Sequence, residues 1–218
     1  TFTPVERDYF LNGQDIPPID TMIEWSLEML EFIRHYHDAH RALLDGFANY
    51  PSGHLGLVRP DGALDLYHGL LRAVDSEGHK TLADVPTDTY NRYFSEAVEK
   101  WSYMKFPYLK HLGREKGWNR VGPLSRLNVC DYIPTRLAEQ ARRQMLQYTG
   151  RKVNNHTLYT HWARLIEMLH CAEVVRDLLH DPDIFSDDLR RTGKPRLEGI
   201  GIIEAPRGTL THHYEVDD

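Results

Sequence analysis

The sequence predicts a mainly α, α+β fold in which long packed helices carry small antiparallel sheet elements. Three observations predict it. Over two long, proline-free stretches, 21–50 and 158–180, apolar residues recur every three or four positions. Between them lies a glycine-rich alternating stretch, 51–86, and a second alternating stretch closes the chain. With 218 residues, the chain can bury a sizeable core without covalent staples. Its 26 Lys and Arg against 32 Asp and Glu leave a net charge of −6, which argues against a protein built chiefly to grip nucleic acid or an anionic membrane.

The elements follow in order. Thr1 to Pro18, with Pro4, Pro17, Pro18 and Asn12-Gly13, reads as an irregular lead-in. Asp20 can cap a long amphipathic helix from Thr21 to about Tyr50, carried by Met22, Ile23, Leu27, Leu30, Phe32, Ile33, Tyr36 and Leu43 and weakened near Gly46. Gly53–Val58, Leu64–Val74 and a short return through Thr81 read as antiparallel strands, with turns at Pro60-Asp61-Gly62 and Asp75-Ser76-Glu77-Gly78. Thr87 or Asp88 caps a helix to about Trp101, and Trp101–Val129 reads as an aromatic-rich loop. A helix from Thr135 to Tyr148 stops at Gly150. The helix Leu158–His180 is apolar around enough of its circumference to predict burial on more than one face, and Asp181-Pro182 ends it. The charged stretch Asp187–Glu198 reads as exposed, and Ile200–Ile203 and Thr209–Val216 as two strands flanking Ala205-Pro206-Arg207-Gly208.

Chemistry-bearing residues are sparse. Cys130 and Cys171 lie far apart without a second cysteine near either, so CxxC metal and redox motifs are excluded within this chain and a reducing compartment is implied. Cys171, inside the apolar helix, reads as core. His35, His37 and His40 fall about 200° and then 300° apart on a helix, so only His37 and His40 could share a ligand, and packed or solvated rings are the simpler reading. Glu24, Glu28 and Glu31 form a carboxylate face that reads as solvated. No glycine-rich nucleotide fingerprint is present. The remaining oddity is Arg207 between Pro206 and Gly208, a permanently charged planar fork set in a tight turn. Next to it, His212 and His213 must point to opposite faces of their strand, one buried and one exposed.

The segment Glu204-Ala205-Pro206-Arg207-Gly208-Thr209-Leu210, followed by His212-His213-Tyr214, resembles a signature of the large subunit of nickel-iron hydrogenases. The likeness is strongest to the cytoplasmic, bidirectional, NAD-linked group. Val98–Tyr108, Val121–Cys130 and Trp162–Glu167 resemble further segments of the same subunit, in the same order. The resemblance implies a hydrogenase large-subunit-like fold and reversible oxidation of dihydrogen to protons and electrons at a nickel-iron centre. It also implies a small subunit with iron-sulfur clusters, a diaphorase module and a cytoplasmic location; from the sequence itself, no apolar run approaches the roughly 20 residues of a membrane span and no nucleic-acid partner is expected. That family holds nickel through two CxxC motifs, and this chain has neither. Residues 1–218 are therefore expected to be a single domain, the middle portion of the subunit, binding no metal centre and inactive alone. Self-association of the isolated piece is expected from faces meant for other segments. By the same resemblance Arg207 is the catalytic arginine over the metal pair, Ala205 and Pro206 wall the pocket, and Glu204 and His213 are candidate supporting partners. The alternative is a metal-free scaffold or assembly protein related to the hydrogenase-like subunit of respiratory quinone-reducing complexes. The electron acceptor stays open between NAD, NADP, a deazaflavin and a low-potential carrier.

Overall fold

A computed structural model describes residues 16–185, 192–194 and 196–217. Residues 1–15 of the lead-in, and residues 187–191 and 195 of the charged stretch, lie outside the described residues. The helices are α1 (Ile16–Gly46), the short α2 (Tyr90–Tyr93) and α3 (Gly113–Lys116), α4 (Pro123–Val129), α5 (Arg136–Thr149) and α6 (Thr160–Leu179). The strands are β1 (Gly53–Val58), β2 (Leu70–Val74), β3 (Lys80–Val85), β4 (Phe94–Val98), β5 (Lys105–Leu109), β6 (Asn119–Arg120), β7 (Glu198–Ala205) and β8 (Gly208–Glu215).

The main core lies between helices. Ile19, Ile23, Leu30 and Leu44 of α1 meet Trp162, Ala163, Ile166 and Leu169 of α6, and α5 adds Ala138, Ala141 and Met145. α6 is covered by α1, α4 and α5, which is why its apolar residues are not confined to one stripe. Its buried set includes two carboxylates, Glu167 and Glu173, each held by hydrogen-bond donors. No described helix is long and apolar enough to cross a membrane.

A second core joins the sheets. β3, β2, β1 and β6 form a four-stranded sheet in that order, antiparallel except for the β1–β6 pair. Leu55, Leu57, Leu71, Ala73 and Leu82 of this sheet pack with Leu109 of β5 and Ile202 of β7. β4–β5 and β7–β8 are separate two-stranded hairpins.

Several expectations need correction. The helix expected from Thr87 to Trp101 ends at Tyr93, and Phe94–Val98 turns into strand β4, paired residue by residue with β5. Phe94 there packs against the second core, a tertiary contact that overrides local helix preference. The expected loop Trp101–Val129 holds β5, β6 and α4; α4 starts on Pro123, whose fixed φ suits a first helical position. The strand expected at Leu64–Val74 begins only at Leu70, because the Asp65 carboxylate accepts the amides of Tyr67 and His68 and holds a turn. Cys171 is exposed on α6, whereas Cys130 at the end of α4 is the buried thiol. By contrast α5 ends as expected, with Gly150 in the left-handed region at φ 64°.

Candidate functional site

The β7–β8 hairpin closes through Pro206-Arg207, with Ala205 and Gly208 the last paired residues. The turn is positioned by close backbone approach. Gly122, the residue before α4, sits at φ 95°, and a Cβ there would meet the Arg207 carbonyl oxygen at 2.9 Å. Only glycine accepts both that φ and that contact. A Cβ at Gly208 would meet the Val121 side chain. Val121-Gly122 and Arg207-Gly208 are thus two glycine-containing pairs pressed together.

Two arginines then clamp the turn's carbonyls. Arg164 of α6 donates from Nη1 to the Pro206 oxygen at 2.8 Å. Arg126 of α4 donates from Nη1 to the Ala205 oxygen and to Glu204 Oε2, both at 2.9 Å. Its Nε and Nη2 form a bidentate pair with Glu167 of α6 at 2.6 and 2.7 Å. Glu204 Oε1 in turn accepts the Leu57 amide and the Thr209 hydroxyl, each at 3.0 Å. The Arg126 and Glu204 side chains are 3% and 0% exposed, so this is a buried network of one cation and two carboxylates. Burial pushes the Glu204 carboxyl above its ordinary range, outweighing the downward pull of Arg126. Burial also opposes the charge on Arg126, but its bonds to Glu167 and the nearby Glu204 hold the guanidinium protonated.

Arg207 itself is exposed, and among the described residues no carboxylate or carbonyl pairs with its guanidinium. Beside the turn lies a cavity of about 360 Å³ lined by Arg126, Arg164, Cys171, Glu204, Ala205 and Pro206, with part of α1 as its far wall. A free cation on a fixed backbone beside a cavity can stabilise negative charge without reorganising at the moment it develops.

The structure therefore places Ala205, Pro206, Arg207 and Glu204 at one site, while His213 lies elsewhere. His213 is six residues along β8, roughly 20 Å from Arg207 at the strand rise, and contacts Tyr90 and Glu198. As expected of neighbours on a strand, His213 is half-buried and His212 exposed. His37 is buried against Tyr159 and Trp162, where burial brings it down to about 4, and His40 is exposed, so the two share no ligand. Glu24, Glu28 and Glu31 are exposed, as read from their face. Sequence reasoning missed Gly122, Arg126, Arg164 and Glu167 as parts of the site, although all four lie inside segments singled out for their resemblance.

The chain's own residues do not fit a metal centre held by four thiolates. Only two cysteines are present, and burial pushes the Cys130 thiol up to about 12, a poor ligand at neutral pH.

No protein-family model matches the chain. It is 49% identical over 217 residues to the NAD-reducing hydrogenase HoxS subunit beta of Cupriavidus necator, covering 98% of this chain and 44% of that protein. It is 36% identical over 217 residues to a subunit of the F420-non-reducing hydrogenase vhu of Methanocaldococcus jannaschii, covering 99% of this chain and 50% of the relative. A crystal structure of an NAD+-reducing [NiFe]-hydrogenase in the H2-reduced state superposes with a TM-score of 0.90 at 40% identity, covering all of this chain and 47% of that one. The chain spans about half the length of the relatives it matches. Its homologues are hydrogenase subunits, and its fold is that of a segment of a hydrogenase.

Proposed function

We propose that this chain is the middle segment of the large subunit of a nickel-iron hydrogenase of the NAD-linked, cytoplasmic kind, folded as a single domain. Its part in the reversible oxidation of dihydrogen is to hold Arg207 at the active centre. When bound, the metal pair would supply the hydride and electron chemistry, held by thiolates from segments outside this chain; the chain alone is inactive. Arg207 supplies a fixed cation, Ala205 and Pro206 the adjoining wall, and Glu204 with Arg126 the buried anchor of the turn. A guanidinium is not deprotonated in proteins, so the role proposed for Arg207 is electrostatic organisation rather than proton acceptance.

One observation carries this reading. Three segments that resemble the same subunit, 121–130, 162–167 and 204–214, converge on one turn, through Gly122, Arg126, Arg164 and Glu167. A protein that had lost its metal would need no such support for an unpaired cation. For the partner subunits, one outer face of α1 offers Met22, Trp25, Met29 and Phe32, all exposed. An apolar face of this kind suits a small subunit carrying iron-sulfur clusters, with a diaphorase module beyond it.

The test is nickel and iron analysis of the complete subunit purified with its partners, combined with dihydrogen-dependent NAD reduction. About one nickel per subunit, with turnover under dihydrogen, is expected. A metal-free complex without turnover would replace this reading with that of a scaffold protein.

A further inference from the structure

A second cluster of metal-ligating groups lies at the open end of the β7–β8 hairpin, far from the Arg207 turn. Glu198 and Glu215 are direct cross-strand partners, and His213, two residues before Glu215, points to the same face. Like charges directly opposite one another destabilise a sheet. Among the described residues neither carboxylate has a Lys or Arg partner, and both face the imidazole instead. His213 Nε2 lies 2.9 Å from Glu198 Oε1 and 3.9 Å from Glu215 Oε1, and the three candidate ligand atoms are all within 4.8 Å of one another. A tetrahedral zinc ion with bonds of about 2.0–2.2 Å holds its ligands roughly 3.4 Å apart, and the two measured distances bracket that value.

The far side of the ring is anchored too. Tyr90 Oη lies 3.1 Å from His213 Nδ1, and the two rings meet edge to face with centroids 5.8 Å apart. A partner on Nδ1 fixes the tautomer and the aim of Nε2, the usual arrangement behind a ligating histidine. Tyr90 stands on the 87–93 helical turn, which packs against β7, so the anchor is rigid with respect to the hairpin.

We propose that Glu198, His213 and Glu215 bind one divalent cation of the zinc class, through Nε2 and one oxygen of each carboxylate. A neutral imidazole with two carboxylates presents two negative charges to a doubly positive ion, and three protein ligands leave the fourth position to water. Bound there, the cation ties the first residue of β7 to the last of β8. It clips the hairpin at the end opposite its functional turn. The proposal does not depend on the hydrogenase reading.

The experiment is zinc titration of the full chain, stripped of labile metal with a chelator, followed by calorimetry and equilibrium dialysis with zinc chloride alone. The wild-type chain should take up one zinc equivalent that His213→Ala and Glu215→Gln both lack. His212→Ala, whose ring faces the opposite side of the same strand, should retain it. Tyr90→Phe should bind about tenfold more weakly. X-ray absorption at that equivalent should show nitrogen and oxygen ligands only. Equal zinc uptake by wild type and Glu215→Gln, or sulfur in the coordination of that equivalent, would overturn the proposal. Glu215 is exposed at the rim, so its variant gives the readout even if the His213 variant does not fold.

Discussion

Replacing Arg126 with methionine keeps the bulk of the side chain but removes the cation from between Glu167 and Glu204. Four hydrogen bonds are lost, two to Glu167, one to Glu204 and one to the Ala205 carbonyl. Because both carboxylates stay behind in a site where Arg126 was 3% exposed, the cost is that of stranding buried charge, about 3–5 kcal/mol. The sign of the pH effect follows. Burial already holds the Glu204 carboxyl above its ordinary range, and without the cation it rises further above its unfolded value, so the folded variant takes up a proton first and regains stability as pH falls. The loss should therefore be largest at pH 7 and smaller at pH 5. Urea unfolding of the full chain, followed by far-UV circular dichroism at both values, measures it, and hydrogen exchange over residues 198–215 reports whether the hairpin loosens first. A loss below about 1 kcal/mol, or one equal at the two pH values, would refute the account of a charge-dependent anchor.

Further predictions concern the backbone and the histidines. Gly122→Ala combines a positive φ of 95° with a Cβ 2.9 Å from the Arg207 oxygen; it should destabilise the chain by about 1–3 kcal/mol, read from unfolding curves, and in the complete subunit purified with its partners it should lower turnover at unchanged metal content. His54 is fully buried, with Ser125 Oγ 3.0 Å from Nδ1 and Asn155 Oδ1 3.1 Å from Nε2. Burial lowers its pKa from 6.5 to about 4. The unfolded chain therefore takes its proton first, and stability is full above pH 6.5 and lost as pH falls towards 4. His54→Gln should shrink that acid loss by about 3 kcal/mol, measured as the difference between urea midpoints at pH 7 and pH 4.5.

The sequence made the long helices and the closing hairpin legible, because their periods are sustained. α1 and α6 each run for several turns, and β7–β8 alternates on both sides of a Pro-Arg-Gly turn. The middle third was illegible for the opposite reason. β4, β5 and β6 are two to five residues long, and what makes them strands is pairing to each other or to β1, not their own pattern. The turn residues of the site could be read from 204–208, but their support could not. In a linear chain Arg126, Arg164 and Glu167 look like surface charges. Only the fold brings Arg126 to Glu167, 41 positions away, and to Glu204, 78 positions away. His213 shows the converse: adjacency to the motif in sequence became distance along a strand.

The most direct measurement is dihydrogen-oxidation turnover of Arg207→Lys in the complete subunit purified with its partners, with nickel and iron quantified on the same sample. A lysine keeps the charge but loses the planar fork. Turnover about a hundredfold lower at unchanged metal content is predicted; wild-type turnover at unchanged metal content would contradict the assignment of Arg207.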